Sequence, residues 1–155
     1  ERVRGNYGRA REYYIQAQAA ASQAEAPAED ARLAHNFGYL ALHDGNVAEA
    51  EALFRQGLAM FRVMVMKRGI CECLAGLAAV GAARGRAEWA VPLLAAVESQ
   101  LGGSGADWWP ADRVEIERTR EQLRQTVGEA EFARLWEQGQ PMSLEAAINW
   151  TESGI

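Results

Sequence analysis

The sequence predicts an all-α fold built from helix pairs that repeat about every 40 residues. Three glycines, Gly5, Gly45 and Gly85, mark the repeat, and after each one an alanine follows five residues later and a large apolar residue nine residues later. A fixed period of this length is typical of stacked supersecondary units. The 30 alanines, together with the scarcity of β-branched alternation, favour helices throughout the chain.

Local start and stop signals set the helices of the repeats. Pro27 suits the first turn of a helix, where its missing N–H costs nothing, and residues 44–46 (Asp-Gly-Asn) end that helix. Asn46 and Glu49 have the spacing of a capping box at the start of the next helix. The predicted helices of this region are 6–23, 27–43, one from Val47 onward, 67–84 and 87–101.

The residues after 101 lack the 40-residue signature and are predicted to form a C-terminal helical cap. A glycine-rich connector at 102–105 precedes helices at 111–127 and 129–138, and Ser143 is predicted to cap a last helix. Helical stacks need such caps to cover their open ends. We therefore expect helix-pair repeats over 1–101, the first of them truncated, and a linker with capping helices over 102–155.

Charge and composition argue against several classes of partner. The net charge is −5, and arginines alternate with glutamates, so neither nucleic acid nor an anionic membrane is an expected direct partner. No apolar run approaches a membrane span and no signal peptide is visible, which predicts a cytoplasmic protein. The chain begins without methionine and partway through a repeat, so we expect it to be a fragment of a longer protein.

The two cysteines are expected to be small buried hydrophobic residues. Cys71 and Cys73 point to different sides of a helix, which argues against a disulfide between them within one chain, and no further ligands complete a metal set. No cofactor is expected.

Residues 34–61 resemble a tetratricopeptide repeat. The resemblance rests on Asn36-Phe37-Gly38 in the first helix, Gly45-Asn46 at the turn, and Ala50 and Phe54 in the second helix. The standard repeat has about 34 residues, so helices or links are longer here. The resemblance implies a tetratricopeptide-like helical-repeat superhelix.

Two further segments, 67–85 and 128–148, are similar to the C-terminal repeat region of large bacterial LuxR-type and related signal-transduction ATPase regulators. In that family the repeats serve as a sensor or docking surface, so the resemblance implies a transcription regulator acting through protein–protein interaction. These 155 residues contain neither a GxxxxGK[ST] loop nor a basic helix-turn-helix. Nucleotide and DNA binding would belong to other parts of the parent protein.

The segment from Phe61 to Lys67 departs from the pattern, because no customary turn residue lies between the two predicted helices. Three interpretations remain open. The segment forms a turn of less usual residues with the Met and Val side chains packed inward; it forms an exposed apolar interface; or the two helices fuse and exchange with a partner chain. Phe61, Met64 and Met66 are the candidate interface residues, with a homodimer through 60–66 as one outcome.

The resemblance also implies a ligand site, since first helices line the concave face of tetratricopeptide stacks. Side chains four residues apart align on one helix face, and a face of this composition suits a peptide carboxylate or a polar effector. Ordinary solvated side chains are the other interpretation. Two histidines of this face lie about 12 Å apart along the helix, too far for one metal ion. The candidate residues are Arg32, His35, Asn36, Tyr39, His43 and, from the next repeat, Glu72.

Two features of the cap region have a structural and a functional interpretation. Trp108 and Trp109 either form a stacking platform for a ligand or pin the glycine-rich connector to the helices. The alternating charges of 113–124, which include Glu115, are interpreted as a solvated face of weak ion pairs.

No nucleophile with a histidine in a recognisable motif is present, so we expect no enzyme activity. The sequence thus predicts a non-catalytic protein-interaction or sensing module of a bacterial regulator. The alternative is a small-molecule effector domain that uses the concave face of the repeats.

Overall fold

The computed structural model describes residues 1–102 and 108–154, and within them the fold is all-α, without strands. In the described part of the chain, a short 3₁₀ turn, Arg2–Arg4, precedes eight helices. Two compact units are present, Glu1–Gly76 and Leu77–Ile155, and their boundary lies within α4. The helices are α1 Tyr7–Ala24, α2 Pro27–His43, α3 Val47–Val63, α4 Lys67–Ala83, α5 Ala87–Gly102, α6 Pro110–Val127, α7 Glu129–Gly139 and α8 Leu144–Glu152.

The predicted helix ends are confirmed to within one residue where both ends were predicted. Pro27 occupies the first turn of α2, and the Ser143 Oγ accepts a hydrogen bond from the backbone N–H of Ala146 at 3.1 Å. The capping box was wrong, because the Asn46 side chain makes no capping hydrogen bond. None of the described helices is long and apolar enough to cross a membrane.

The turns repeat every 20 residues, which is half the period visible in the sequence. Positive φ angles occur at Gly5 (75°), Glu25 (50°), Gly45 (80°), Val65 (55°) and Gly85 (70°). A left-handed residue is the common way to end a helix, and glycine adopts it without steric cost. The 40-residue glycine signature therefore marks alternate turns, and non-glycine residues serve at the turns between.

The last three of these turns share one hydrogen-bond pattern. At Gly45, the N–H of the left-handed residue donates to the carbonyl three residues earlier, and the next N–H donates to the carbonyl five residues before it. The same pair of bonds forms around Val65 and Gly85. This is the Schellman motif, which satisfies the carbonyls left open at the end of a helix.

Val65 is unusual among these residues because a β-branched side chain strongly disfavours positive φ. Its conformation costs about 1–3 kcal/mol. The segment forms a turn of less usual residues, but its valines are not packed inward. Within the single chain α3 and α4 are separate helices, and their fusion with exchange between two chains stays a prediction. Val63 and Val65 are 86% and 85% exposed, and Met66 is also exposed.

The core of the N-terminal unit is built around Phe54 of α3. Its ring is fully buried and lies against two glycines, Gly38 of α2 and Gly76 of α4. A Cβ at Gly38 would approach the Phe54 Cε1 to 2.7 Å, and one at Gly76 would come still closer. Glycine at these positions lets the ring fill the space between the helix backbones. Within this unit α2 packs on both α1 and α3.

The C-terminal unit is organised around α5, which packs on α6, α7 and α8. Nearly the whole of α5 from Ala87 to Val97 is buried, including Pro92 in the helix interior. At Gly139, the end of α7 crosses α5 so closely that a Cβ would collide with the Pro92 carbonyl oxygen. A side chain at position 139 would therefore force the two helices apart.

Candidate functional site

The structure places the predicted α2 residues at different depths. Arg32, Asn36 and His43 are half-buried, whereas His35 and Tyr39 are only 1% and 2% exposed. The expected open groove is therefore not lined by His35 or Tyr39. Both side chains turn into the core of the N-terminal unit, where they meet Phe54.

These three rings form one edge-to-face cluster. The centroid distances are 5.2 Å between His35 and Tyr39, 5.8 Å between His35 and Phe54, and 5.0 Å between Tyr39 and Phe54. The interplanar angles of 61° to 86° bring ring edges against ring faces, the arrangement that aromatic quadrupoles favour. His35 and Tyr39 thus contribute to packing in this unit.

Arg2 covers this cluster, a role that the sequence did not reveal. The residue is buried, its Nη1 donates to the Asn36 Oδ1 at 2.9 Å, and its Cζ lies 4.8 Å from the centre of the Tyr39 ring. A guanidinium at this distance from an aromatic face makes a cation–π contact. Asn36 and Tyr39 are therefore engaged by a residue of the same chain.

Glu72 and the cysteines lie in residues 69–82 of α4, a stretch that is buried on all sides. Glu72 is 5% exposed, and both Cys71 and Cys73 are fully buried. Burial raises the pKa of the Cys71 thiol to about 11, because the apolar surroundings disfavour the thiolate. At neutral pH this thiol stays protonated, so it is a poor nucleophile and a poor metal ligand.

His43, the last residue of α2, and Arg32, in the first half of that helix, each make local contacts. The His43 ring stacks on Tyr7 of α1 with centroids 3.8 Å apart and planes 21° apart. Next to it, Arg11 of α1 pairs with Asp44. Arg32 lies 3.8 Å from Glu29 in a mainly exposed pair. His43 is thus part of the α1–α2 packing, and Arg32 is the predicted cation that remains on the surface.

A second candidate site lies in the C-terminal unit between α5, α6 and α7. Phe132 and Trp136 of α7 stack at 5.4 Å and line a cavity of about 460 Å³. The Arg124 Cζ lies 4.9 Å from the Phe132 ring centre, and the Arg120 Cζ lies 5.5 Å from that of Trp136.

The arginines of this cavity are held by carboxylates of the same unit. Arg120 pairs with Glu98 of α5, and the Arg124 Nε lies 3.1 Å from a Glu129 carboxylate oxygen. An anionic ligand would have to displace these glutamates before it could bind the guanidinium groups. The arrangement therefore fastens α6 to its neighbours and gives little support to an anion site.

The predicted solvated face of α6 is only partly as expected. Glu115 is buried, while its partner Arg118, at 2.9 Å, is exposed. Trp108 is half-buried, and 52% of the Trp109 surface is exposed. Residues 103–105 of the predicted connector lie outside the described residues, so the pinning of this segment by the tryptophans stays a prediction.

The candidate interface residues of the turn between α3 and α4 also differ in burial. Phe61 is buried against Gly69 of α4, because glycine there leaves room for the ring. Met64 is half-buried and Met66 is exposed. The exposed apolar surface at this turn consists of Val63, Val65 and Met66.

In the part of the chain that the structure describes, no group of three or more His, Cys, Asp or Glu side chains is placed to hold a metal ion. Comparison of this chain with models of protein families, with curated proteins and with solved structures finds no match.

Proposed function

We propose that this chain is a non-catalytic protein-interaction module of a cytoplasmic bacterial transcription regulator. Its helices would form a tetratricopeptide-like superhelix with a C-terminal cap, as the sequence resemblance implies. The all-α fold and the 20-residue spacing of its turns support this architecture. The module would act by binding another protein or another domain of its parent chain.

The exposed, uncharged surface of α1 carries the proposal. Residues 13–24 contain no charged side chain, and all of them except Tyr14 and Ala21 are exposed. Tyr13 and Ile15 are 51% and 54% exposed. Protein surfaces that face only water carry both signs of charge in abundance, so an exposed helix stretch of this composition favours a contact surface.

The chemistry of this surface indicates the kind of partner. Apolar and small side chains, with glutamines among them, suit a partner face that is itself apolar and uncharged. A nucleic acid would require cations, which are absent from residues 13–24. Tyr13 is the natural anchor, because aromatic residues are enriched among the side chains that dominate binding energy.

The alternative function, an effector receptor on the predicted concave face, has less support. His35 and Tyr39 are buried in the ring cluster, and Asn36 is bonded to Arg2. A small ligand would have to replace these internal contacts. A screen of metabolites by thermal shift, compared between the unaltered chain and Arg32→Ala, tests this alternative on the half-buried cation Arg32.

Photo-crosslinking in the cell that naturally makes the protein tests the proposal. A photoreactive phenylalanine analogue replaces Tyr13 in the full parent protein, and the matched control carries it at Gln138, an exposed residue of α7. We expect a discrete crosslinked protein, or a crosslink within the parent chain, from position 13 alone. The same weak, diffuse products from both positions would contradict the proposal.

A further inference from the structure

The turn between α3 and α4 lacks a residue that stops a helix. Gly45 and Gly85 end helices at the neighbouring turns, and Pro27 follows the turn at Glu25. Residues 64–67 are instead Met-Val-Met-Lys. Methionine and lysine are strong helix formers, and valine is tolerated in a helix far better than at positive φ.

A continuous helix would remove the strain at Val65. With helical dihedral angles at residues 64–66, α3 and α4 would join into one helix from Val47 to Ala83, about 55 Å long. Such a helix cannot fold back on itself. The contacts that α3 now makes with α4 would then require a second copy of the chain.

We propose that this turn is a hinge through which two copies exchange their α1–α3 segments to form a domain-swapped dimer. The contacts that hold α3 to α4 are available in either form. Phe54 would pack against Gly76 of the second copy, and Phe61 against its Gly69, as each does within one chain in the closed form. A hinge that is strained when closed favours this exchange.

The exposed side chains of the turn provide a second driving force. Val63 and Val65 are almost wholly exposed in the closed form. In an exchanged dimer the two straightened hinges lie beside the two-fold axis, where the valines of one copy can pack on those of the other. Burial of this apolar surface and release of the strained φ together oppose the entropy lost on association.

A single substitution blocks the exchange without disturbing the closed turn. Lys67→Pro places proline at the first position of α4, as Pro27 stands at the first position of α2. A proline there is compatible with a new helix but not with the interior of a continuous one. Val65→Gly is the second variant, because glycine adopts the closed turn without strain.

The unaltered chain and both variants are unfolded and then refolded at high concentration. Size-exclusion chromatography with light scattering then measures the mass of each product. We expect the unaltered chain to give the 17.0 kDa monomer and a dimer of twice that mass. The dimer should survive dilution and return to monomer only after unfolding. Its yield should fall roughly ten-fold in both variants, while circular dichroism shows that they remain helical.

Three results would overturn the proposal. The first is a chain that stays wholly monomeric after concentrated refolding. The second is a dimer that dissociates on simple dilution, because a surface contact behaves in that way and an exchanged segment does not. The third is an undiminished dimer in Lys67→Pro.

Discussion

Trp89 of α5 and Trp150 of α8 exchange hydrogen bonds within the C-terminal unit. The Trp150 Nε1–H donates to the Trp89 backbone carbonyl at 3.0 Å, and the Trp89 Nε1–H donates to the Trp150 carbonyl at 3.3 Å. Each indole thus satisfies its single donor while its ring packs between the helices. The pair fastens the last helix to the central helix of the unit.

Replacement of Trp150 by phenylalanine should weaken this attachment. Trp150→Phe removes the donor to the Trp89 carbonyl and is expected to lower the free energy of unfolding by about 1–2 kcal/mol. Chemical denaturation measures this change. Trp109→Phe is the control, since half of that side chain is exposed, and a change within about 0.5 kcal/mol is expected. Equal effects of the two substitutions would contradict the role of the reciprocal bonds.

Two glycine-to-alanine substitutions should act in opposite directions. Gly76→Ala brings a Cβ into the Phe54 ring, and we expect a loss of about 1–3 kcal/mol from overpacking. Gly8→Ala in α1 meets no atom within 4 Å, so the better helix propensity of alanine should raise stability by about 0.5–1 kcal/mol. Thermal and chemical unfolding of both variants tests the pair. A stabilised Gly76→Ala would show that Phe54 does not fill this space.

Val65 and Val63 are equally exposed, but only Val65 has a positive φ. A comparison of glycine substitutions at the two positions therefore isolates the strain of that backbone conformation. Val65→Gly should raise the free energy of unfolding by up to about 1 kcal/mol, because relief of the positive φ outweighs the flexibility that glycine adds. Val63→Gly replaces the last residue of α3 and should lower it by only about 0.2–0.5 kcal/mol. Denaturation of the monomers measures both. Destabilisation by Val65→Gly would mean that the turn is not strained.

Because the Cys71 thiol is buried, we predict that the free energy of unfolding falls in alkali. Its pKa is raised from an ordinary 9.0 to about 11, so the folded state holds the proton more tightly than the unfolded state. The resulting stability is complete below pH 9 and is lost as the pH rises from 9 to 11, roughly 2–3 kcal/mol in all. Cys71→Ala should lack this loss. Parallel pH profiles for the two proteins would contradict the prediction.

The helix boundaries could be predicted because their signals are local. Pro27, Gly45 and Ser143 each end or begin a helix through their own backbone or side-chain chemistry. The 20-residue period of the turns could not be predicted from the sequence. Glu25 and Val65 adopt positive φ, although neither residue type is typical of that conformation. These conformations are imposed by the packing of the helices that the turns connect.

The candidate site could be predicted less well, for a physical reason. Helical spacing correctly places Asn36 and Tyr39 near one another on α2, but spacing cannot tell a solvent-facing side from a covered one. The cover comes from Arg2, which lies 34 residues before Asn36. A contact over that separation depends on how α1 packs on α2, so no local pattern in the sequence reveals it.

We propose that the exposed, uncharged surface of α1 binds a protein, and the affinity for the partner captured by photo-crosslinking tests this claim. Isothermal titration compares the unaltered chain with Tyr13→Glu and with Gln138→Glu, which adds the same charge at an exposed residue of the C-terminal unit. We predict that Tyr13→Glu weakens binding by roughly ten-fold or more, whereas Gln138→Glu leaves the affinity unchanged. Equal affinities for all three proteins would contradict the claim.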